Sequence, residues 1–234
     1  QEGLPDAQVS ALLRTQDGGL WLGTGSGIVR TINGNQFLPV PLATDPAPRI
    51  MALAEGPGGV VYAATDERGV LVFTEGTSGL LPGYPVDTAN TVRALLVLRD
   101  GGLLIGLRNG LLRWKNGRCE RVSLGEGPPK SISALAEGQD GGLWVGTYGE
   151  GLYHVSSSGA ITEYDETNGL LQNNVRTLLM DTEGRLWIGS KFGLNLYANG
   201  KLRAFTIHQG MPNDNVWCAY QDTEGDLWFG TDGA

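Results

Sequence analysis

Along the chain, apolar residues gather in short runs cut by glycine-rich turns, and no segment carries the 3.6-residue periodicity of a helix. Strands are therefore expected throughout, with helix close to absent. One phrase recurs: a Gly-rich turn, a bulky residue, then Gly and usually Thr or Ser. It first appears as Asp17-Gly18-Gly19-Leu20-Trp21-Leu22-Gly23-Thr24 and returns around Tyr62, Leu104, Trp144, Trp187 and Trp228. The spacings between these six anchors are 41, 42, 40, 43 and 41 residues. Such even spacing marks a structural repeat.

The residues before each anchor repeat as well. Twelve positions upstream stand Val9, Ile50, Val92, Ile132, Val175 and Val216; ten upstream stand the small residues Ala11, Ala52, Ala94, Ala134, Thr177 and Cys218. A short strand, apolar on both faces with one small position, suits the crowded inner strand of a propeller blade. Ser10 to Leu13, a Gly turn and Leu20 to Gly23 form a predicted hairpin, followed by Gly27 to Arg30, the turn Asn33-Gly34-Asn35 and Gln36 to Val40. Later units repeat this with Leu111 to Trp114 before Asn116-Gly117, and Leu194 to Tyr197 before Asn199-Gly200. Asn-Gly favours tight hairpins because both residues tolerate positive φ. Four short antiparallel strands in about 41 residues is the arithmetic of a β-propeller. Leucine-rich repeats are too short, and sandwiches keep no fixed period.

The expected architecture is an all-β propeller of four-stranded antiparallel blades, about five and a half of them, forming a single domain or fragment over residues 1–234. Five repeats are complete, ending near His208; the sixth supplies strands around Val216 to Tyr220 and Asp226 to Gly230. An open array leaves edges that invite association. Both a piece of a larger propeller and a homo-oligomer whose second chain completes the ring fit this reading.

Composition narrows the function. A net charge of −8 argues against nucleic acid or an anionic membrane as partner. No apolar run approaches the roughly 18 residues of a membrane helix. Cys119 and Cys218 are the only cysteines, too few for a disulfide scaffold or a clustered zinc site. No cofactor or metal is expected: Asp181-x-Glu183-Gly184 and Asp222-x-Glu224-Gly225 lack the remaining ligands of a calcium loop and read as turns.

With these residues in hand, the repeat resembles the two-component regulator propeller family. Gly3-Leu4-Pro5 to Thr24, Gly169-Leu170-Leu171 to Ser190 and Gly210-Met211-Pro212 to Thr231 carry the likeness, including Asn173-Asn174-Val175 and Asp214-Asn215-Val216. The second and third units depart most, with Tyr62 and Leu104 in place of Trp. The resemblance implies a periplasmic or extracytoplasmic sensor region of a bacterial hybrid histidine kinase or diguanylate cyclase, its membrane span and output domain lying elsewhere.

A binding site is expected where positions vary while their neighbours repeat: the start of each inner strand and the loop after each Gly-Thr. These positions supply Arg93, Arg108, Arg176 and Lys191 as a local basic funnel, and Tyr148, Phe192 and Trp217 as flat apolar faces. Arginine suits carboxylate or phosphate capture, so the expected ligand is an anionic or sugar-like small molecule. No catalytic residue is expected. His154 and His208 fall in the outer halves of their units, unlike the channel base a propeller lyase resembling streptogramin lyase would need. The recurrent Trp residues read as wedges between blades. A docking or dimerisation scaffold for proteins is the alternative to a ligand sensor.

Overall fold

In a computed structural model of the chain, residues 4, 6–31, 36–42, 46–74, 77–85 and 91–233 are described. Every extended element is a strand; the helical content is two 3₁₀ turns, Pro57–Gly59 and Ile207–Gln209. The chain divides into two compact units, Gln1–Val122 and Ser123–Ala234.

The first unit holds three four-stranded antiparallel sheets. They are β1 (Val9–Arg14), β2 (Leu20–Thr24), β3 (Gly27–Thr31) and β4 (Leu38–Pro39); β5 (Ile50–Glu55), β6 (Val61–Thr65), β7 (Val70–Thr74) and β8 (Thr77–Leu80); β9 (Val92–Val97), β10 (Leu103–Leu107), β11 (Gly110–Lys115) and β12 (Arg118–Val122). The second unit holds two such sheets and one of two strands. These are β13 (Ile132–Glu137), β14 (Leu143–Thr147), β15 (Leu152–Val155) and β16 (Ile161–Tyr164); β17 (Thr177–Met180), β18 (Leu186–Ser190), β19 (Gly193–Ala198) and β20 (Lys201–Phe205); and β21 (Val216–Gln221) with β22 (Leu227–Thr231). Strand order follows chain order in each sheet.

The register explains the repeat. Each small residue faces the motif glycine or alanine across the first hairpin: Ala11 opposite Gly23, Ala52 opposite Ala64, Ala134 opposite Gly146, Thr177 opposite Gly189. The gap so created receives the β-branched residue that opens the next sheet. A Cβ on Gly23 would lie 2.5 Å from the Ile50 methyl, and one on Gly146 would lie 2.5 Å from a Val175 methyl. Ile50, Val92, Ile132, Val175 and Val216 are all fully buried. The Thr or Ser after each motif glycine ties the following loop, with Thr24 donating to Gly27, Thr65 to Gly69, Thr147 to Gly151 and Ser190 to Gly193.

The anchors act as wedges within each unit, with one exception. Trp21 packs on Phe73, Tyr62 on Trp114, Trp144 on Tyr197 and Trp187 on Phe229. Trp228 is instead 61% exposed, since those anchors are covered by the following sheet and none follows β21–β22 among the described residues. The Asn-Gly turns form as expected, with φ of 50° and 78° at Asn116 and Gly117, and 51° and 74° at Asn199 and Gly200. The Asn33-Gly34-Asn35 turn lies outside the described residues. The strand expected over Gln36 to Val40 shortens to Leu38–Pro39, where proline's missing N–H limits the ladder. Cys119 and Cys218 are free thiols, the first half-buried, with burial raising its pKa, and the second exposed.

Candidate functional site

In each sheet the inner strand begins beside the end of the second strand, as the pairs Ile132–Thr147 and Val216–Thr231 show. The two variable positions therefore share one end of each sheet. In the second unit this end gathers Arg176 at the head of β17, Lys191 and Phe192 in the β18–β19 turn, and Trp217 on β21. The Arg176 guanidinium stacks 3.9 Å from the centre of the Trp217 ring and donates to Asn215 Oδ1. Both Asn215 and Trp217 donate to the carboxylate of Asp232.

Asp232 titrates below the usual carboxylate range, held there first by the Trp217 indole N–H, then by Asn215, with the charges of Arg176 and Lys191 assisting. Lys191 thus belongs electrostatically to the same cluster, although its backbone N–H is held separately by Gln172 at 3.3 Å. Phe192 is 54% exposed and Trp217 54%, so both offer apolar surface to a ligand. Tyr148, 60% exposed, sits in the β14–β15 loop and bridges to Asn174 in the same unit. Asn174 Oδ1 is buried without a hydrogen-bond partner among the described residues, leaving an acceptor beside this cluster's strand ends.

The first unit holds the other two expected residues. Arg93 is half-buried on β9. Arg108 is exposed in the β10–β11 turn, its backbone N–H donating to Thr91. That turn follows Leu107, so it lacks the Thr-to-Gly tie that holds its counterparts.

Two features depart from a simple basic funnel. Asp232 stands four residues after Trp228, the loop position that Arg108, Tyr148 and Lys191 occupy after their own anchors, and it places a negative charge between Arg176 and Lys191. Ser10 and Ser133, at the same strand position as Arg93 and Arg176, stitch sheets together by donating to Ile50 and Val175 carbonyls. Asn215, Asn174 and Asp232 are the residues that reading by variability missed. Their signal was present, since Asn174 and Asn215 both stand thirteen residues before their anchors.

His208 belongs to the 3₁₀ turn Ile207–Gln209, and His154 on β15 stacks 4.0 Å from Trp144. Burial lowers the His154 pKa, with the Asp140 carboxylate opposing in part. A histidine whose folded pKa is depressed stabilises fully above its unfolded value of about 6.5 and destabilises as pH falls through it. Chemical denaturation at pH 7.5 and 5.5 should therefore show a loss of stability that His154→Phe reduces; an identical loss in the variant would remove His154 from the account.

Against this geometry, the two-component regulator propeller model matches residues 3–26, 126–149, 169–192 and 210–233. These are two-component regulator propeller repeats. The matches begin at Gly-Leu-Pro or its equivalent and run through the anchor into the variable loop, and they omit the units of Tyr62 and Leu104. A curated relative, histidine kinase P4 of Formosa agariphila, is 26% identical over 157 residues, covering 62% of this chain and 11% of the kinase. The extracellular domain of a putative hybrid two-component system from B. thetaiotaomicron superposes with TM-score 0.85 at 18% identity, over 97% of this chain and 32% of that one. A streptogramin B lyase superposes with TM-score 0.82 at 18% identity, over 97% of this chain and 78% of the lyase. At these identities the structural matches establish the β-propeller fold. The propeller repeats here thus occur on a scaffold shared by a receptor's extracellular domain and by enzymes. No helix among the described residues is long and apolar enough to cross a membrane.

Proposed function

We propose that this chain is a non-catalytic, extracytoplasmic ligand-sensing propeller segment of a bacterial two-component receptor. The reading rests on the cluster of Arg176, Trp217 and Asp232, flanked by Lys191 and Phe192 at one end of the second unit's sheets. Exposed aromatic faces beside two cations and one carboxylate suit a small molecule that carries an anionic group and a flat or sugar-like body. The repeat family and the kinase relative support the receptor context. His154 is held against Trp144 and takes no part in the cluster, and the groups gathered there are suited to binding.

Thermal unfolding against sugar acids, amino acids, nucleotides and neutral sugars tests the proposal. A ligand at about 100 times its Kd adds roughly 2.7 kcal/mol of stability. The expected result is a shift with an anionic compound that Arg176→Ala and Trp217→Ala abolish while leaving the unliganded transition nearly in place. A panel without any shift would displace ligand sensing in favour of a second reading. That reading is a docking or self-association surface on a propeller face. Light scattering across a concentration series would then show a complex heavier than one chain.

A further inference from the structure

The first unit contains an open cleft of about 1160 Å³ between the β1–β4 and β5–β8 sheets. Trp21 and Phe73 line its floor, and Arg30, Asp17 and Glu55 are its charged groups. Trp21 is 93% buried, being 7% exposed, yet its indole N–H has no partner among the described residues. The Nε of Arg30, whose guanidinium lies 5.1 Å over the same indole, is also buried without one.

The fifth repeat shows one carboxylate taking two donors of these types. There Asp181 Oδ2 accepts from Arg185 Nε at 2.6 Å and from Trp187 Nε1 at 2.8 Å. Asp181 stands six residues before its anchor; the equivalent position before Trp21 is Thr15. The Thr15 hydroxyl is committed to Asp17 at 2.6 Å and to the Gly19 carbonyl at 3.0 Å. The arginine has been moved rather than lost. Gly19 replaces Arg185, and Arg30 reaches in from β3, its Nε lying 3.1 Å from where a Gly19 Cβ would be. Arg30 Nη2 bonds Asp17, four residues before the anchor, as Arg185 Nη1 bonds Glu183 at the equivalent place. Among the described residues, then, no carboxylate of the first repeat takes the place that Asp181 holds in the fifth.

We propose that this cleft binds a carboxylate-bearing small molecule whose carboxyl group takes the Trp21 and Arg30 donors in the place that Asp181 holds in the fifth repeat. The carboxylate restores the charge balance of that repeat, two acids around one arginine. The two nitrogens are covered in this conformation, so the Arg30 side chain, about one-third exposed, lifts from the indole as the ligand enters. The volume lies just above the roughly 300–1,000 Å³ usual for small-molecule pockets, which leaves room for the ligand's body. Val40, Pro41 and Phe73 offer that body apolar surface, and Thr74, Thr77 and Ser78 offer hydroxyls. This site is separate from the Arg176–Trp217 cluster and stands or falls independently of it.

The chain supplies its own test. Thr15→Asp installs the missing carboxylate, so it should raise the unfolding temperature and abolish binding of added acids. Thermal shift and calorimetry with D-glucuronate, benzoate and neutral D-glucose on wild type, Thr15→Asp and Trp21→Phe provide the readouts. At about 100 times Kd, a bound acid should raise the transition by about 5–10 °C. The expected pattern is a shift with glucuronate or benzoate, none with glucose, and none in either variant; Arg176→Ala should keep the shift. Glucuronate without benzoate would indicate a hydroxylated acid, and the reverse an aromatic one. Trp21→Phe keeps the packing and removes the unpaired N–H, so it covers the case in which Thr15→Asp fails to fold. The proposal is overturned if neither acid binds, if glucose binds equally, or if binding survives Trp21→Phe.

Discussion

Gly146→Val should destabilise the second unit by about 3 kcal/mol, the upper end of the usual range for an overpacked core. Local preference predicts the opposite sign. Valine is among the best strand formers, and glycine weakens a strand interior by roughly 0.5–1 kcal/mol relative to alanine. Packing decides the contest. The first added carbon alone would sit 2.5 Å from a Val175 methyl and 3.0 Å from its Cβ, and Val175 is fully buried with a stiff, β-branched side chain. The two positions should couple: adding Val175→Ala to Gly146→Val should recover at least about 1 kcal/mol relative to additivity. Urea denaturation followed by tryptophan fluorescence measures both. A stable Gly146→Val protein, or strict additivity, would show that the gap is not what the motif glycine provides.

The second large effect is expected at Asp181. Its buried carboxylate accepts from the backbone N–H of Glu183 and Arg185 through Oδ1, and from Arg185 Nε and Trp187 Nε1 through Oδ2. Asp181→Ala strands an arginine and an indole N–H, at a cost of about 3 kcal/mol, since losing one partner of a buried network exposes the full desolvation penalty of the rest. Asp222 makes the equivalent bonds to Glu224, Asp226 and Trp228, but at an exposed site. Asp222→Ala should therefore move the midpoint much less, and equal losses at the two sites would contradict the burial argument. The pH dependence has a definite sign. Burial alone would raise the Asp181 pKa, but hydrogen bonds from Trp187 and Arg185 and the Arg185 charge outweigh it and hold the carboxyl low. Its stabilisation is present above an unfolded pKa of about 3.9 and is lost as pH falls through the lower folded value. Wild type and Asp181→Ala should thus begin to converge in stability as pH falls below about 4.

Much of the propeller was legible because the repeat repeats its physics. The alternation of a small residue, a motif glycine or alanine and a β-branched residue at the head of the next unit is one packing rule, and the sequence restates it from unit to unit. The candidate site was legible in part. Arg176, Lys191 and Trp217 gather around Asp232 at one end of the second unit's sheets, with Phe192 beside Lys191 in the β18–β19 turn. Asp232 was not legible as a site residue because its charge is opposite to that of a basic funnel, although it occupies the same loop position as Lys191. Ser10 and Ser133 look variable and polar, but their hydroxyls join sheets, which no count of residue types distinguishes from ligand contact.

By itself the sequence determined the period, the strand hairpins, the positive-φ Asn-Gly turns and the family of the repeat, because these depend on local sterics and on hydrophobic spacing that every unit restates. Only the tertiary structure decided which polar groups are answered. Trp21, Trp187 and Trp228 read alike along the chain, yet one indole N–H is unpaired beside a cleft, one is clamped by a buried aspartate and one lies exposed. Burial and hydrogen-bond partners come from neighbouring sheets and from residues several positions away, so identical motif letters acquire different energies only once the strands are packed.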